Sequence, residues 1–114
     1  MESGRRKELQ KQYVERDKTG GVYLIRNTLN NKLYIEAAVD LQSNKNRFEF
    51  AQKTGSCIYL KLQKDWESQG PSDFVFEVLE ELTKNESQSP EAFKADVLLL
   101  AELWRDKLAN ESFY

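Results

Sequence analysis

Two stretches, Gly21-Val22-Tyr23-Leu24-Ile25-Arg26-Asn27 and Lys32-Leu33-Tyr34-Ile35-Glu36, decide the fold. Both are rich in β-branched and aromatic residues, and their side chains alternate between two faces, which is the pattern of β-strands. The segment between them, Thr28-Leu29-Asn30-Asn31, contains two adjacent asparagines, which suit a short hairpin loop. The sequence therefore predicts an antiparallel β-hairpin at the start of the domain.

The length of this loop favours one register of the two strands. In that register Tyr23 lies opposite Glu36, and Ile25 lies opposite Tyr34. Because directly opposed side chains of an antiparallel pair are neighbours, a phenol and a carboxylate are expected side by side on the sheet.

Hydrophobic periodicity and turn residues predict the remaining elements. Helices are expected over residues 4–17, 41–53, about 56–69 and 90–108, and a third strand over 74–80. The last helix has an apolar face formed by Phe93, Val97, Ala101, Trp104 and Leu108. These elements predict an α/β (α+β) fold, a small three-stranded antiparallel sheet flanked by helices. Residues 1–19 are interpreted as an N-terminal helical extension, and residues 20–114 as the domain.

The net charge of −2 conceals an uneven distribution. Residues 1–64 contain 13 Lys and Arg against 7 Asp and Glu, whereas residues 65–114 contain 4 against 12. The basic half includes the hairpin and the helix that follows it. Because nonspecific DNA affinity scales with the phosphates neutralised, the acidic total predicts at most weak binding of nucleic acid.

Composition excludes several classes of protein. No apolar run approaches the roughly 20 residues that a membrane span requires, so no membrane partner is expected. A single cysteine, Cys57, and the absence of histidine exclude an internal disulfide and a structural zinc site. These features predict a soluble protein of the reducing cytoplasm.

The two tyrosines, with their flanks, resemble the paired motifs of the GIY-YIG nuclease superfamily. The resemblance covers about residues 20–108. Within the superfamily, this stretch is similar to the catalytic domains of phage intron homing endonucleases. Further matching residues are Asp40-Leu41, Asn46-Arg47, Gly55, Leu62-Gln63-Lys64-Asp65-Trp66, Phe76-Glu77-Val78-Leu79-Glu80-Glu81-Leu82 and Trp104. The resemblance implies a GIY-YIG-like fold.

The resemblance implies the chemistry of this superfamily, in which a metal-assisted hydrolysis cuts one phosphodiester bond. The first tyrosine helps to deprotonate the attacking water, and the second lies beside the scissile phosphate. An arginine neutralises charge on the phosphate, and a glutamate of the last helix holds Mg²⁺ or a similar cation.

Only part of that set is present in this chain. Tyr23 and Tyr34 match the two tyrosines, although both residues equally suit an ordinary amphipathic sheet position. The expected glycine, arginine, histidine and metal-binding glutamate are replaced, in that order, by Glu36, Asn44, Phe48 and Ala101. The substitutions fall on the site while the surrounding scaffold residues match, so we expect a degenerate site without a cofactor. Mg²⁺ would be needed only by an active enzyme, with Glu36 and Glu102 as weak candidate ligands.

Three functions remain open from the sequence. The first is a domain with a degenerate active site that serves as a nucleic-acid-binding or regulatory module. Its candidate phosphate contacts, to DNA or RNA, are Lys45, Arg47 and Lys53. The second is an active endonuclease with rearranged ligands. The third is a module that binds a protein partner through its acidic half.

Overall fold

The computed structural model describes residues 19–114, which form a three-stranded antiparallel sheet with helices packed on both faces. The predicted fold class is therefore confirmed. The predicted helix over 4–17 lies outside the described residues. Thr19, assigned from sequence to the extension, is the first residue of strand β1, and the division of the chain at this point stays a prediction.

The sheet has the strand order β2-β1-β3. The strands are β1 (Thr19–Asn27), β2 (Leu33–Ala38) and β3 (Phe74–Thr83), and the α-helices are α1 (Leu41–Thr54), α2 (Gln63–Gln69) and α3 (Pro90–Lys107). Short 3-10 turns, Leu60–Leu62 and Pro71–Asp73, lie on either side of α2.

The hairpin has the predicted register, with Tyr23 opposite Glu36 and Ile25 opposite Tyr34. Asparagines stabilise its loop as the sequence suggested. The side chain of Asn30 accepts a hydrogen bond from the Lys32 amide at 2.9 Å, and Asn31 adopts a left-handed conformation with φ of 60°. The hairpin prediction is confirmed.

Strand β1 lies at the centre of the sheet and is buried on both faces. Tyr23 and Ile25 contribute to one hydrophobic core beneath α1 and α2, whereas Val22 and Leu24 contribute to a second core beneath α3. Each helical layer therefore packs on alternate residues of the same strand.

Helix α1 matches its prediction to within one residue. Its first turn is capped by Asp40, whose side chain accepts a hydrogen bond from the Ser43 amide at 3.2 Å. Its last turn is followed by Gly55 in a left-handed conformation, with φ of 77°.

The helix predicted from about residue 56 is wrong in its first turn. Residues 56–59 are not helical, a 3-10 turn begins at Leu60, and the α-helix begins only at Gln63. Tyr59 is extended, and its buried ring packs edge-to-face on Tyr34 at 5.8 Å between centroids. Tertiary packing of this ring therefore outweighs the local helical preference of the segment.

Strand β3 is longer than predicted and contains a bulge. It continues to Thr83 because the first residues of β1 pair with its end, and the register shifts between Val22 and Tyr23. One residue, Leu79, has no partner on β1 at this shift, and it packs instead against the core beneath α3.

Helix α3 begins after Ser89, whose hydroxyl accepts a hydrogen bond from the Ala92 amide at 3.1 Å. Its predicted inward face is confirmed, since Phe93, Val97 and Ala101 are buried. Within residues 19–114, none of the helices combines the length and apolarity that crossing a bilayer requires.

Replacement of Gly21 by alanine is predicted to destabilise the fold strongly. Gly21 has φ of 149°, and an added Cβ would lie 2.0 Å from the backbone oxygen of Glu80 on β3. Neither strand moves without disrupting the sheet, so Gly21→Ala should lower the free energy of unfolding by about 3 kcal/mol or more. Chemical denaturation measures this change.

Gly55→Ala is the matched control, because Gly55 also has a positive φ but a Cβ there would meet open space. Only the intrinsic penalty of a left-handed alanine applies, about 1 kcal/mol. Equal losses in the two variants would contradict the close packing of β1 against β3 at the bulge.

Candidate functional site

An open cleft of about 790 Å³ lies between the hairpin, α1 and the irregular segment before α2. It contains both tyrosines of the sequence motif, the Glu36 carboxylate and the first turns of α1. Its lining residues are Tyr23, Tyr34, Glu36, Ser43, Asn44, Asn46, Arg47, Phe50, Ile58, Tyr59 and Leu60.

Tyr23 lies in the floor of this cleft with its ring inside the core. The ring stacks on Phe76 at 4.5 Å between centroids, and the residue has no exposed surface. Its hydroxyl donates a hydrogen bond to Oε2 of Glu36 at 2.5 Å, as the strand register allows. Burial first, and then this hydrogen bond and the Glu36 charge, raise the pKa of Tyr23 above its ordinary value. The phenol is therefore held neutral.

Asn44 occupies the position at which the resemblance implies an arginine. Its side-chain amide donates to the backbone oxygen of Asp40 at 2.9 Å, and its Oδ1 lies 3.4 Å from the Tyr23 hydroxyl. Because the single proton of that hydroxyl is used on Glu36, the 3.4 Å contact is weak. The residue thus presents an oxygen to the cleft and supplies no positive charge.

Two further tyrosines surround the carboxylate. Burial, followed by the Glu36 charge, raises the pKa of Tyr34. The same two causes, in the same order, raise the pKa of Tyr59 to about 12. Arg105 of α3 opposes the shift at Tyr34, and its guanidinium donates to the Ile35 backbone oxygen at 3.0 Å. The cleft is therefore a cluster of neutral phenols around one carboxylate.

Sequence reasoning missed Tyr59 and Arg105. Tyr59 falls in the segment interpreted as the start of a helix, which hid its extended conformation. Arg105 directly follows Trp104, which the sequence placed on the inward face of the last helix. That placement was the available signal that Arg105 lies at the side of this face, close to the edge strand β2.

Of the candidate cations on α1, Arg47 lines the cleft and is exposed. Lys45 and Lys53 are exposed on the same helix but are not among the lining residues. Within the described part of the chain one ion pair forms, between Arg26 and Glu77, so the three α1 cations have no carboxylate partner there.

Two of the replaced positions belong to the hydrophobic cores instead of the cleft. Phe48 is buried in the core beneath α1 and contacts the ring of Trp66 edge-to-face at 6.0 Å between centroids. Ala101 is fully buried beneath α3, and its neighbour Glu102 is exposed. Neither Ala101 nor Glu102 lines the cleft.

The donor set does not fit the divalent cation that the fold family implies. Among residues 19–114 no three Asp, Glu, Cys or His side chains come close enough to hold a metal ion. Glu36 is a single carboxylate, and one of its oxygens already accepts the Tyr23 proton. One carboxylate is a poor Mg²⁺ site without substrate phosphates.

The stability of the domain is predicted to fall at alkaline pH. Unfolded tyrosine ionises near pH 10, whereas the pKa of folded Tyr59 is about 12, so the unfolded state loses its proton first. The contribution of Tyr59 is complete below pH 10 and is lost as pH rises towards 12, with about 1.4 kcal/mol lost at pH 11. Urea unfolding at pH 9 and pH 11 measures the difference. Tyr59→Phe should show a decrease smaller by that amount, and an unchanged decrease would contradict the assignment.

The chain is similar to two solved structures of the catalytic domain of the intron endonuclease I-TevI. A point-mutant form is 26% identical with a TM-score of 0.60, covering 84% of this chain and 92% of that chain. The second structure is 27% identical with a TM-score of 0.58, covering 79% and 88% of the two chains. No family model and no curated protein matches the chain. The chain therefore has a GIY-YIG-like fold and forms a nuclease-like domain.

Proposed function

We propose that this domain binds nucleic acid through the cleft between the hairpin and α1 and does not hydrolyse it. The hydrogen bond from the Tyr23 hydroxyl to Glu36 carries the proposal. A general base must accept a proton from water, but this phenol donates its own proton to a carboxylate and is held neutral by its raised pKa.

The charges in the cleft also disfavour phosphoryl chemistry. Glu36 supplies a negative charge beside the phenols, and at about 5 Å it would repel a phosphate by roughly 1 to 3 kcal/mol in a partly screened cleft. Asn44 provides no cation to offset that repulsion or to stabilise a transition state. Removal of such preorganised groups typically slows an enzyme by two to three orders of magnitude.

Two observations support nucleic acid as the ligand. The similar structures are catalytic domains of an endonuclease, and an endonuclease acts on a nucleic-acid chain. In addition, Lys45, Arg47 and Lys53 are exposed on α1 beside the cleft and form no ion pair within residues 19–114. Such cations are available to contact a phosphate backbone.

The second candidate is an active metal-dependent endonuclease with rearranged ligands. The observation in its favour is the 2.5 Å contact that sets Glu36 beside Tyr23, where a relocated metal ligand would have to lie. The two candidates differ in whether the bound strand is cut.

Incubation with supercoiled plasmid and Mg²⁺ or Mn²⁺ should produce no nicking above the buffer background. The neutral phenol and the missing cation together remove both proton transfer and charge stabilisation. Tyr23→Phe is the control, because it retains the ring and removes the hydroxyl. Nicking by the native chain that disappears in Tyr23→Phe would establish the second candidate and overturn the first.

Arg47→Glu should weaken binding of a labelled single-stranded oligonucleotide about tenfold at low salt, as measured by fluorescence anisotropy. The slope of log affinity against log salt should fall by roughly 0.7 or more, the value of one lost phosphate contact. Combination with Lys45→Glu and Lys53→Glu should enlarge both effects.

Lys94→Glu is the matched control, since Lys94 is an exposed cation on α3, which packs on the opposite face of the sheet. It should leave the slope unchanged. Equal weakening in both variants would indicate a general charge effect, and no binding of any oligonucleotide would favour a protein partner instead.

A further inference from the structure

The floor of the cleft is rich in hydrogen-bond acceptors. The Glu36 carboxylate has a second oxygen beyond the one that accepts from Tyr23, and Asn44 turns its Oδ1 inward because its amide donates to Asp40. A phosphate is itself an acceptor and an anion, so it meets repulsion at this floor. A ligand with adjacent N–H donors would form hydrogen bonds with these acceptor oxygens.

The rim of the same cleft is apolar. Phe50, Ile58 and Leu60 all line it, and 68%, 54% and 89% of their respective surfaces are exposed. Large apolar side chains grouped at the mouth of a polar cleft mark a contact for an apolar face. An exposed phenylalanine in particular offers a surface on which a planar ring stacks, worth about 1 to 3 kcal/mol for a nucleobase.

We propose that the cleft binds an unpaired guanine base, with the Watson–Crick edge on Glu36 and the ring against the apolar rim. This inference rests on the proposed nucleic-acid function and names its ligand. Among the common bases guanine alone presents two adjacent donors, N1–H and the N2 amino group. They match the two oxygens of one carboxylate, because Oε2 of Glu36 keeps a second lone pair after it accepts the Tyr23 proton. Adenine and cytosine pair one amino donor with an acceptor nitrogen that the carboxylate would repel. Thymine and uracil place a single N–H between two carbonyls.

The base must be unpaired, because its Watson–Crick edge is occupied in a duplex. Arg47 at the edge of the cleft is then available for the phosphate attached to the bound nucleotide. In this arrangement the floor of the cleft binds the base, and Arg47 contacts the phosphate outside it.

Fluorescence anisotropy with labelled thymidine heptamers tests the proposal, each heptamer carrying one central G, hypoxanthine, A, C or T. The G heptamer should bind about tenfold more tightly than the T heptamer, as expected for one two-point base contact. The hypoxanthine heptamer lacks only the N2 amino group and should fall between them.

Glu36→Gln should reduce the preference for G over T to less than threefold, because the neutral amide presents only one acceptor. Glu102→Gln is the matched control, since Glu102 is exposed on α3 and does not line the cleft. It should retain the preference. Circular dichroism and thermal unfolding establish that Glu36→Gln is folded.

The remaining outcomes separate this inference from the function on which it rests. Equal binding of all heptamers, still weakened by Arg47→Glu, would overturn the guanine site and leave nucleic-acid binding intact. Binding of no heptamer and no duplex would overturn both. An arginine-containing heptapeptide that binds more tightly than the G heptamer, and is lost with Glu36→Gln, would assign the cleft to a protein side chain and overturn the proposal.

Discussion

Burial of strand β1 on both faces is the constraint on which the rest of the structure depends. Every residue from Gly20 to Ile25 is buried, and alternate side chains supply two separate cores. Gly20 shows how closely the layers approach, since an added Cβ would lie 2.7 Å from both the Ala38 backbone oxygen and the Phe93 ring. The helices cannot shift along this strand without opening a cavity in one core, so the strand fixes where α1 and α3 meet the sheet.

This constraint decides what the Tyr23 phenol can do. Its ring is part of the core and stacks on Phe76, so only the hydroxyl reaches the cleft. A buried hydroxyl left without a partner costs free energy, and the hairpin register sets Glu36 directly across from it. The contact that completes the hydrogen bonding of the fold therefore also engages the only proton of the phenol. The same hydrogen bond therefore stabilises the strand pair and underlies the absence of hydrolysis that we propose.

The sequence predicted the features that depend on local chemistry. Asparagines in the loop and alternation in the strands were sufficient to predict the register that pairs Tyr23 with Glu36. The Asp40 cap and Gly55 were sufficient to predict the two ends of α1. It failed where tertiary packing decides the backbone. Tyr59 is extended because its ring is buried beside Tyr34, and no local signal distinguishes that segment from a helix start. The same limit hid the approach of Tyr59 to the Glu36 carboxylate, because residues distant in sequence come together only after the chain folds.

Two positions at which the resemblance implies site residues instead hold side chains that pack in the cores. Phe48 adds an aromatic ring to a core where Trp66 and Phe76 already pack, and Ala101 is fully buried among aliphatic side chains of the sheet. A carboxylate at position 101 would be a buried charge costing several kcal/mol unless a cation neutralised it. Without a neutralising cation, an apolar residue is the more stable choice at this position. The two-sided burial of β1 therefore stabilises the fold without requiring a polar side chain at position 101.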